Sequence, residues 1–295
     1  MPHNSSTTEH LLVRGLRYGI RHWGDRNAPV VFFLHGWMDS SATFQFVVDA
    51  LKTSWHVIAP DWRGYGQSEW LSRPYWFPDY YADLHGILAH YSDEPVRLVG
   101  HSMGANIAST YAGLRPDRVA QLVMMDFLGL ALPSDTDGAK QLDQWLTAVQ
   151  TAPALRAYKS HEALARRLMS VNHRLTERRA EFLSRSVSCI RPDGLVAMAC
   201  DPWHKIPSPT LYRVEDSMAS WQRISAPVLM LFGDLGFVHQ RFANNPAELQ
   251  RRLACFKDHQ VVTISDAGHN VQHDQPEQVA DALDQFLTNQ ETAKV

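Results

Sequence analysis

The chain has 295 residues, 45% of them hydrophobic, enough for one large core or for a core that carries a sizeable insertion. A formal net charge of -3 and a pI near 6.6 exclude a basic nucleic-acid face, and no apolar run approaches the ~20 residues of a membrane span. Three scattered cysteines, Cys189, Cys200 and Cys255, exclude a disulfide framework, and with the polar first ten residues they predict a cytoplasmic protein.

In chain order, residues 1–9 read as disordered. Residues 11–13 and 16–21 alternate like an edge hairpin with Gly15 at the turn. Residues 30–34, Val-Val-Phe-Phe-Leu, are a continuous apolar run, expected of a central strand covered on both faces. The run ends in His35-Gly36-Trp37-Met38-Asp39. An amphipathic stretch at 41–51 predicts a helix. Residues 57–60 predict a strand, which ends in Asp61-Trp62-Arg63-Gly64-Tyr65-Gly66-Gln67-Ser68. A helix over 80–90 leads to a strand at 96–99, and residues 121–125 form the next strand, ending at Asp126. Strands alternating with helices predict a doubly wound, mostly parallel sheet. In such sheets the site lies at the carboxyl ends of the strands, where His35, Ser102 and Asp126 fall.

The alternation stops after residue 129. Residues 130–219 carry helical patterns at 141–150, 161–172 and 176–187, the last with Thr176 as N-cap, and no convincing buried strand. Strands resume at 227–232 and 261–264. A final amphipathic helix carries Val279, Leu283, Phe286 and Leu287. The expected organisation is a core in two parts, 1–129 and 220–295, with a helical cap over 130–219. Residues 156–191 hold nine Lys/Arg against three Glu, which reads as a solvated helical face rather than a collar for an anionic substrate.

The chemistry is expected around Gly100-His101-Ser102-Met103-Gly104, which sits between a strand and a helix. A sharp turn there lifts the Ser102 hydroxyl into a cleft, with glycines on both sides because a Cβ would clash. Ser102 is the candidate nucleophile and needs a base. His269, after Gly268 at the end of the last strand, is the candidate base, while His101 and His273 read as structural neighbours. Backbone amides of Trp37 and Met103 are the candidate oxyanion donors. Asp126 and Asp234 both follow strands and both fit the order Ser, Asp, His; Asp126 is preferred because a central strand anchors it, with Asp234 as the alternative acid. Trp37, His35 and Trp145 are expected to contact substrate, and Leu142, Leu146 and Phe182 to line the cleft with them. No metal or organic cofactor is implied.

Leu34-His35-Gly36-Trp37, the Asp61 to Ser68 motif, the Ser102 pentapeptide and Gly268-His269 occur in the order that resembles the α/β-hydrolase superfamily, over nearly the whole chain. Residues 34–41 and Asn172-His173-Arg174-Leu175-Thr176 look like the serine hydrolase-like proteins within it. The resemblance implies an eight-stranded sheet with an inserted cap, and the roles already suggested for Ser102, His269, Trp37 and Met103. One feature departs from it. Many members carry the acid three residues after the glycine that ends the penultimate strand, and here that place holds Gly236. A minority carry it one strand earlier, where Asp126 falls. Haloalkane dehalogenases and epoxide hydrolases need a carboxylate at the position of Ser102. Hydroxyquinolone dioxygenases, which need no cofactor, keep the serine but bring histidines where this chain has Asp39 and Met103. The expectation is a serine hydrolase acting on an ester, thioester or related acyl bond of a small, partly apolar molecule, as a monomer or homodimer. The dioxygenase is the alternative, and a non-catalytic binding protein the second.

Overall fold

Arg14 and Gly15, with φ of 49 and 82, make the two-residue turn that joins strand β1, Ser6–Val13, to β2, Leu16–Trp23. Positive φ at both turn positions matches the twist of a hairpin. The pairing runs unbroken from Ser6 opposite Trp23 to Val13 opposite Leu16. The computed structural model describes residues 4–130 and 137–289. Residues 6–9, expected to be disordered, thus belong to β1. Their polar side chains suit an edge strand with one face in water, a pattern easily taken for a loop.

The core elements follow as β3 (Val30–Leu34), α1 (Gln45–Ala50), β4 (His56–Pro60), α2 (Pro78–Tyr91), β5 (Val96–His101), α3 (Met103–Leu114) and β6 (Val119–Met125). Next come α4 (Gly138–Ala148), β7 (Ala157–Tyr158), α5 (His161–Val171), α6 (Glu177–Ser186), β8 (Ser188–Ile190), β9 (Val196–Met198) and α7 (Val214–Trp221). The chain closes with β10 (Val228–Gly233), α8 (Phe237–Phe242), α9 (Pro246–Leu253), β11 (His259–Ile264), α10 (Val271–Asp274) and α11 (Pro276–Thr288). The large sheet has eight strands in the order β1-β2-β4-β3-β5-β6-β10-β11. Strand β2 runs antiparallel to both neighbours, and the pairs from β4 to β11 are parallel. Hydrophobic layers cover both faces. Phe32, Leu34, Leu98 and Met124 pack under α2, α3 and α7, while Val31, Phe33, Val99 and Val123 pack against α1 and α11. That alternation of buried sides explains the unbroken apolar runs. Each such side chain contributes roughly 1.5–3 kcal/mol.

Between β6 and β10 lies the insertion. Thr176 caps α6, its hydroxyl accepting from the Arg179 amide. A small antiparallel sheet, β7-β9-β8, stands where no strand was expected; its strands have two or three residues, too short to show a period. The end expected for the insertion, residue 219, falls inside α7. Met218 and Trp221 of that helix belong to the main core, and the Trp221 indole donates to the Ser109 hydroxyl of α3 at 3.2 Å.

The insertion is anchored at several places: residues 199–204 bond and stack on residues 63–75, and two further anchors involve α6 and the turn before it. Leu175, Ala180, Leu183 and Val187 form a small core of their own against Phe46 of α1, and Phe46 meets Phe182 edge-on at 5.2 Å. The other anchor holds the loop around His269. Arg179 donates to the carbonyls of His273 and Asp274, Arg174 pairs with Asp266 at 3.0 Å, and Asn172 donates to Asp274 at 2.6 Å. The basic segment read as a solvated face is therefore partly an anchor.

Candidate active site

Ser102 stands between β5 and α3 with φ 50 and ψ -112, a strained backbone that non-glycine residues adopt only where the surroundings enforce it. Its amide donates to the Met125 carbonyl and its carbonyl accepts from the Asn106 amide, both at 3.0 Å. A Cβ on Gly100 would lie 2.6 Å from Ala105 Cα, and one on Gly104 would lie 2.0 Å from the Leu34 carbonyl oxygen. The first glycine lets the helix turn back over its strand, and the second lets the helix sit against β3.

His269 follows β11. Its Nε2 lies 3.0 Å from Ser102 Oγ, and its Nδ1 lies 2.7 Å from Asp126 Oδ2. Asp126 is buried at the end of β6, with φ 44 and its amide bonded to the Leu231 carbonyl. The same Oδ2 accepts from the Phe237 amide at 2.8 Å. With Nδ1–H donating to Asp126, Nε2 is left as an acceptor for the Ser102 hydroxyl. Asp234 lies elsewhere. Its two oxygens accept from the amides of Asp266 and Ala267, each at 3.0 Å, and these bonds hold its carboxyl below the usual range. It shapes the turn that precedes His269.

Other side chains fix the His269 loop. The Phe237 ring stacks on His269 at 3.9 Å between centroids and 12° between planes. His101 Nε2–H donates to the His269 carbonyl at 2.9 Å, and its Nδ1 accepts from Gln272 at 3.3 Å. Burial holds His101 well below the usual imidazole range, and pushes His273 down to about 3. Both are structural neighbours, as expected. Gln272 and His273 also reach the Thr43 hydroxyl, at 3.3 and 2.6 Å. Phe237, Gln272 and Thr43 were missed in the sequence, where an isolated polar or aromatic residue carries no pattern; Gln272's place in the first turn after His269 was the one available clue.

The loop after β3 presses on Ser102. A Cβ on Gly36 would lie 3.3 Å from Ser102 Cβ and 3.0 Å from His101 Nδ1. Trp37 comes next, its side chain 55% exposed. His35, expected to touch substrate, does not. It is fully enclosed, its Nδ1–H donating to the Gly36 carbonyl at 2.7 Å and its Nε2 accepting from the Trp62 amide at 2.9 Å. Burial pushes it down to about 4, which keeps Nε2 an acceptor. Asp61 completes the scaffold by accepting from the amides of Ser41 and Gln67. Asp39, half-buried beside its own loop, is pushed up to about 7 by burial. Trp145 is half-buried on α4, which buries no side chain, and Leu142 and Leu146 beside it are exposed.

Residues 29–276 match the family model described as alpha/beta hydrolase fold. The chain belongs to the α/β-hydrolase superfamily. The serine hydrolase-like protein of Danio rerio is 27% identical over 91% of this chain and 84% of its own length. The mouse protein named sn-1-specific diacylglycerol lipase ABHD11 is 27% identical over 90% of this chain and 82% of its own. Among solved structures, the thioesterase domain from the curacin biosynthetic pathway superposes with a TM-score of 0.83 at 24% identity, covering 95% of this chain and 99% of that one. In this α/β hydrolase the departure at Gly236 acquires a steric reason. A Cβ at Gly236 would lie 2.3 Å from Asp126 Oδ1, so the carboxylate on β6 fills the space that a side chain at 236 would need. Among the described residues of this superfamily member, no cluster of His, Cys, Asp and Glu could hold a metal ion, and no helix is long and apolar enough to cross a membrane.

Proposed function

We propose that this α/β hydrolase is a serine hydrolase that cleaves an ester, thioester or related acyl bond of a small, partly apolar molecule. One observation carries the reading: the line from Ser102 Oγ through the two ring nitrogens of His269 to Asp126, at 3.0 and 2.7 Å. Ser102 attacks the carbonyl carbon while His269 Nε2 takes its proton. Asp126 holds the tautomer and stabilises the imidazolium. The Trp37 and Met103 amides face the oxyanion, and removing such a donor costs about 3–4 kcal/mol of the barrier lowering. His269 then protonates the leaving group, and water, deprotonated by His269, releases the acyl group from Ser102. In this reading the inserted helices form a cap, with Trp37 and Trp145 as walls of the pocket, in a cytoplasmic monomer or homodimer.

A fluorophosphonate probe tests the mechanism. The expected result is a covalent adduct mapped to Ser102 and lost in Ser102→Ala, together with turnover of p-nitrophenyl esters of short or medium acyl length. Labelling that survives Ser102→Ala would sink the reading. Asp126 on the earlier strand is shared with the hydroxyquinolone dioxygenases, so a second assay follows oxygen. Oxygen consumption with a hydroxyquinolone by an unlabelled protein would favour that alternative.

A further inference from the structure

The main chain of His269 is gripped from the interior. His101 Nε2 lies 2.9 Å from the His269 carbonyl oxygen, and the two rings stand 4.8 Å apart between centroids. A carbonyl only accepts, so His101 carries a proton on Nε2. Burial holds His101 well below the usual imidazole range, so the ring is neutral and its Nδ1 is an acceptor. Gln272 Nε2 meets that Nδ1 at 3.3 Å and reaches the Thr43 hydroxyl at 3.3 Å with its second proton. Gln272 is completely buried on α10, and among the described residues its Oε1 has no partner. Turning the amide over would give Oε1 the Thr43 hydroxyl, but it would set two acceptors, Oε1 and Nδ1, against each other. An orphaned buried oxygen costs free energy, and a native structure keeps one where another demand overrides that cost. Here the demand is a donor aimed at His101. Three loops meet in this contact: His101 precedes Ser102, Gln272 follows His269, and Thr43 lies in the turn between β3 and α1. Gly36 leaves the room for it, since a Cβ there would lie 3.0 Å from the same Nδ1.

We propose that Gln272 is a positioning residue for His269: it holds His101 as a ring whose Nε2–H grips the His269 carbonyl, and Thr43 holds Gln272 in the orientation that this needs. The proposal rests on the serine hydrolase reading and deepens it. Gln272 acts only through His101. Asp126 fixes the His269 ring at its Nδ1, and His101 fixes the main chain that carries the ring. With both bonds in place, Nε2 stays on Ser102 while positive charge builds on the imidazole. A neutral His101 also sets no like charge beside that imidazolium.

The test uses variants that keep shape and remove the bonds. Gln272→Met keeps the length of the side chain without its donors, and Thr43→Val keeps the branching without the hydroxyl. On one p-nitrophenyl ester both should lower kcat about tenfold and leave KM within about twofold. Thr43→Ser retains the hydroxyl and should recover most of the loss. Packing alone would be met by Met and Val. Wild-type kcat in both variants, with Ser102 still labelled by the fluorophosphonate, therefore overturns the proposal and leaves the hydrolase. A wild type whose Ser102 is not labelled overturns the hydrolase reading, and the role of Gln272 with it. Heteronuclear NMR of the imidazoles reads the arrangement without turnover. In the wild type His101 should carry its proton on Nε2 and none on Nδ1, and in Gln272→Met that proton should exchange with solvent about tenfold faster. A proton on His101 Nδ1 in the wild type overturns the proposal even where a variant fails to fold, and so does unchanged exchange in Gln272→Met.

Discussion

Asp126 and Asp234 follow strands β6 and β10, neighbours in the sheet, and serve different partners: one a ring nitrogen of His269, the other two backbone amides of the preceding turn. Asp126→Asn should lower kcat by up to about four orders of magnitude, by analogy with the serine-protease case, because the amide favours the wrong tautomer. Asp234→Asn, measured on the same ester, should cost far less and act through the turn. Gly236→Ala places a methyl where the Asp126 carboxylate lies and should lower kcat about 10- to 100-fold, although residue 236 carries no side chain of its own. Asp39 gives a pH signature. Its folded-state value of about 7 lies above the unfolded value near 4, so its favourable contribution is complete below about 4 and is lost as pH rises through 7. The Tm advantage of Asp39→Asn over wild type should therefore grow from pH 5 to pH 7 and level off above that. A constant difference would contradict the raised carboxyl. At this scale the sequence made Ser102 and His269 legible, because glycines and strand ends mark them. It left Asp126 and Asp234 open, because which carboxylate swings to a histidine depends on contacts across three strands. His35 misled, since a histidine at a strand end looks the same whether it faces a cleft or backbone.

Helix α6 does more than cover the sheet. Arg179 near its start links Phe46 of α1, by a guanidinium 5.6 Å above the ring, to the carbonyls at His273 and Asp274. Arg179→Ala should lower stability by about 1–3 kcal/mol through lost charge-assisted bonds and leave those carbonyls bonded to water alone. Asn172→Ala frees one Asp274 oxygen, whose partner oxygen still holds the Gly268 amide at 2.8 Å. Both variants should lower kcat on short esters more than they raise KM, because they loosen His269 rather than remove a substrate contact. A change confined to KM would place these residues in substrate binding instead. Long periodic elements were legible in the sequence: α5, α6 and α11 lie within a few residues of their expected spans. The strands of the insertion were not, since pairing between segments of two or three residues is settled by tertiary contact rather than local pattern.

At the scale of the whole molecule, three buried histidines, His35, His101 and His273, make the fold sensitive to acid. Burial lowers His35 to about 4, His273 to about 3, and His101 well below the unfolded value near 6.5. A depressed histidine contributes stability that is present above the unfolded value and lost as pH falls toward the folded one. Stability should thus fall below pH 6.5, by about 1.4 kcal/mol per pH unit for each histidine still neutral in the folded state. Urea titrations at pH 7, 6 and 5 measure this slope, and a flat profile would mean that the three imidazoles accept protons in place. His101→Gln should flatten part of the slope and also reveal what the bond to the His269 carbonyl contributes.

The crowding of Gly236 against the Asp126 carboxylate also constrains ancestry. Moving the acid to position 236 by a single substitution would force two carboxylates into one space, while removing Asp126 first would leave His269 without an acid. Under the proposed mechanism each single step should be worse than either end point, a case of reciprocal sign epistasis. Asp126→Gly combined with Gly236→Asp should recover activity that neither change alone retains, and a double variant no better than the worse single one would show that the two sites are not interchangeable.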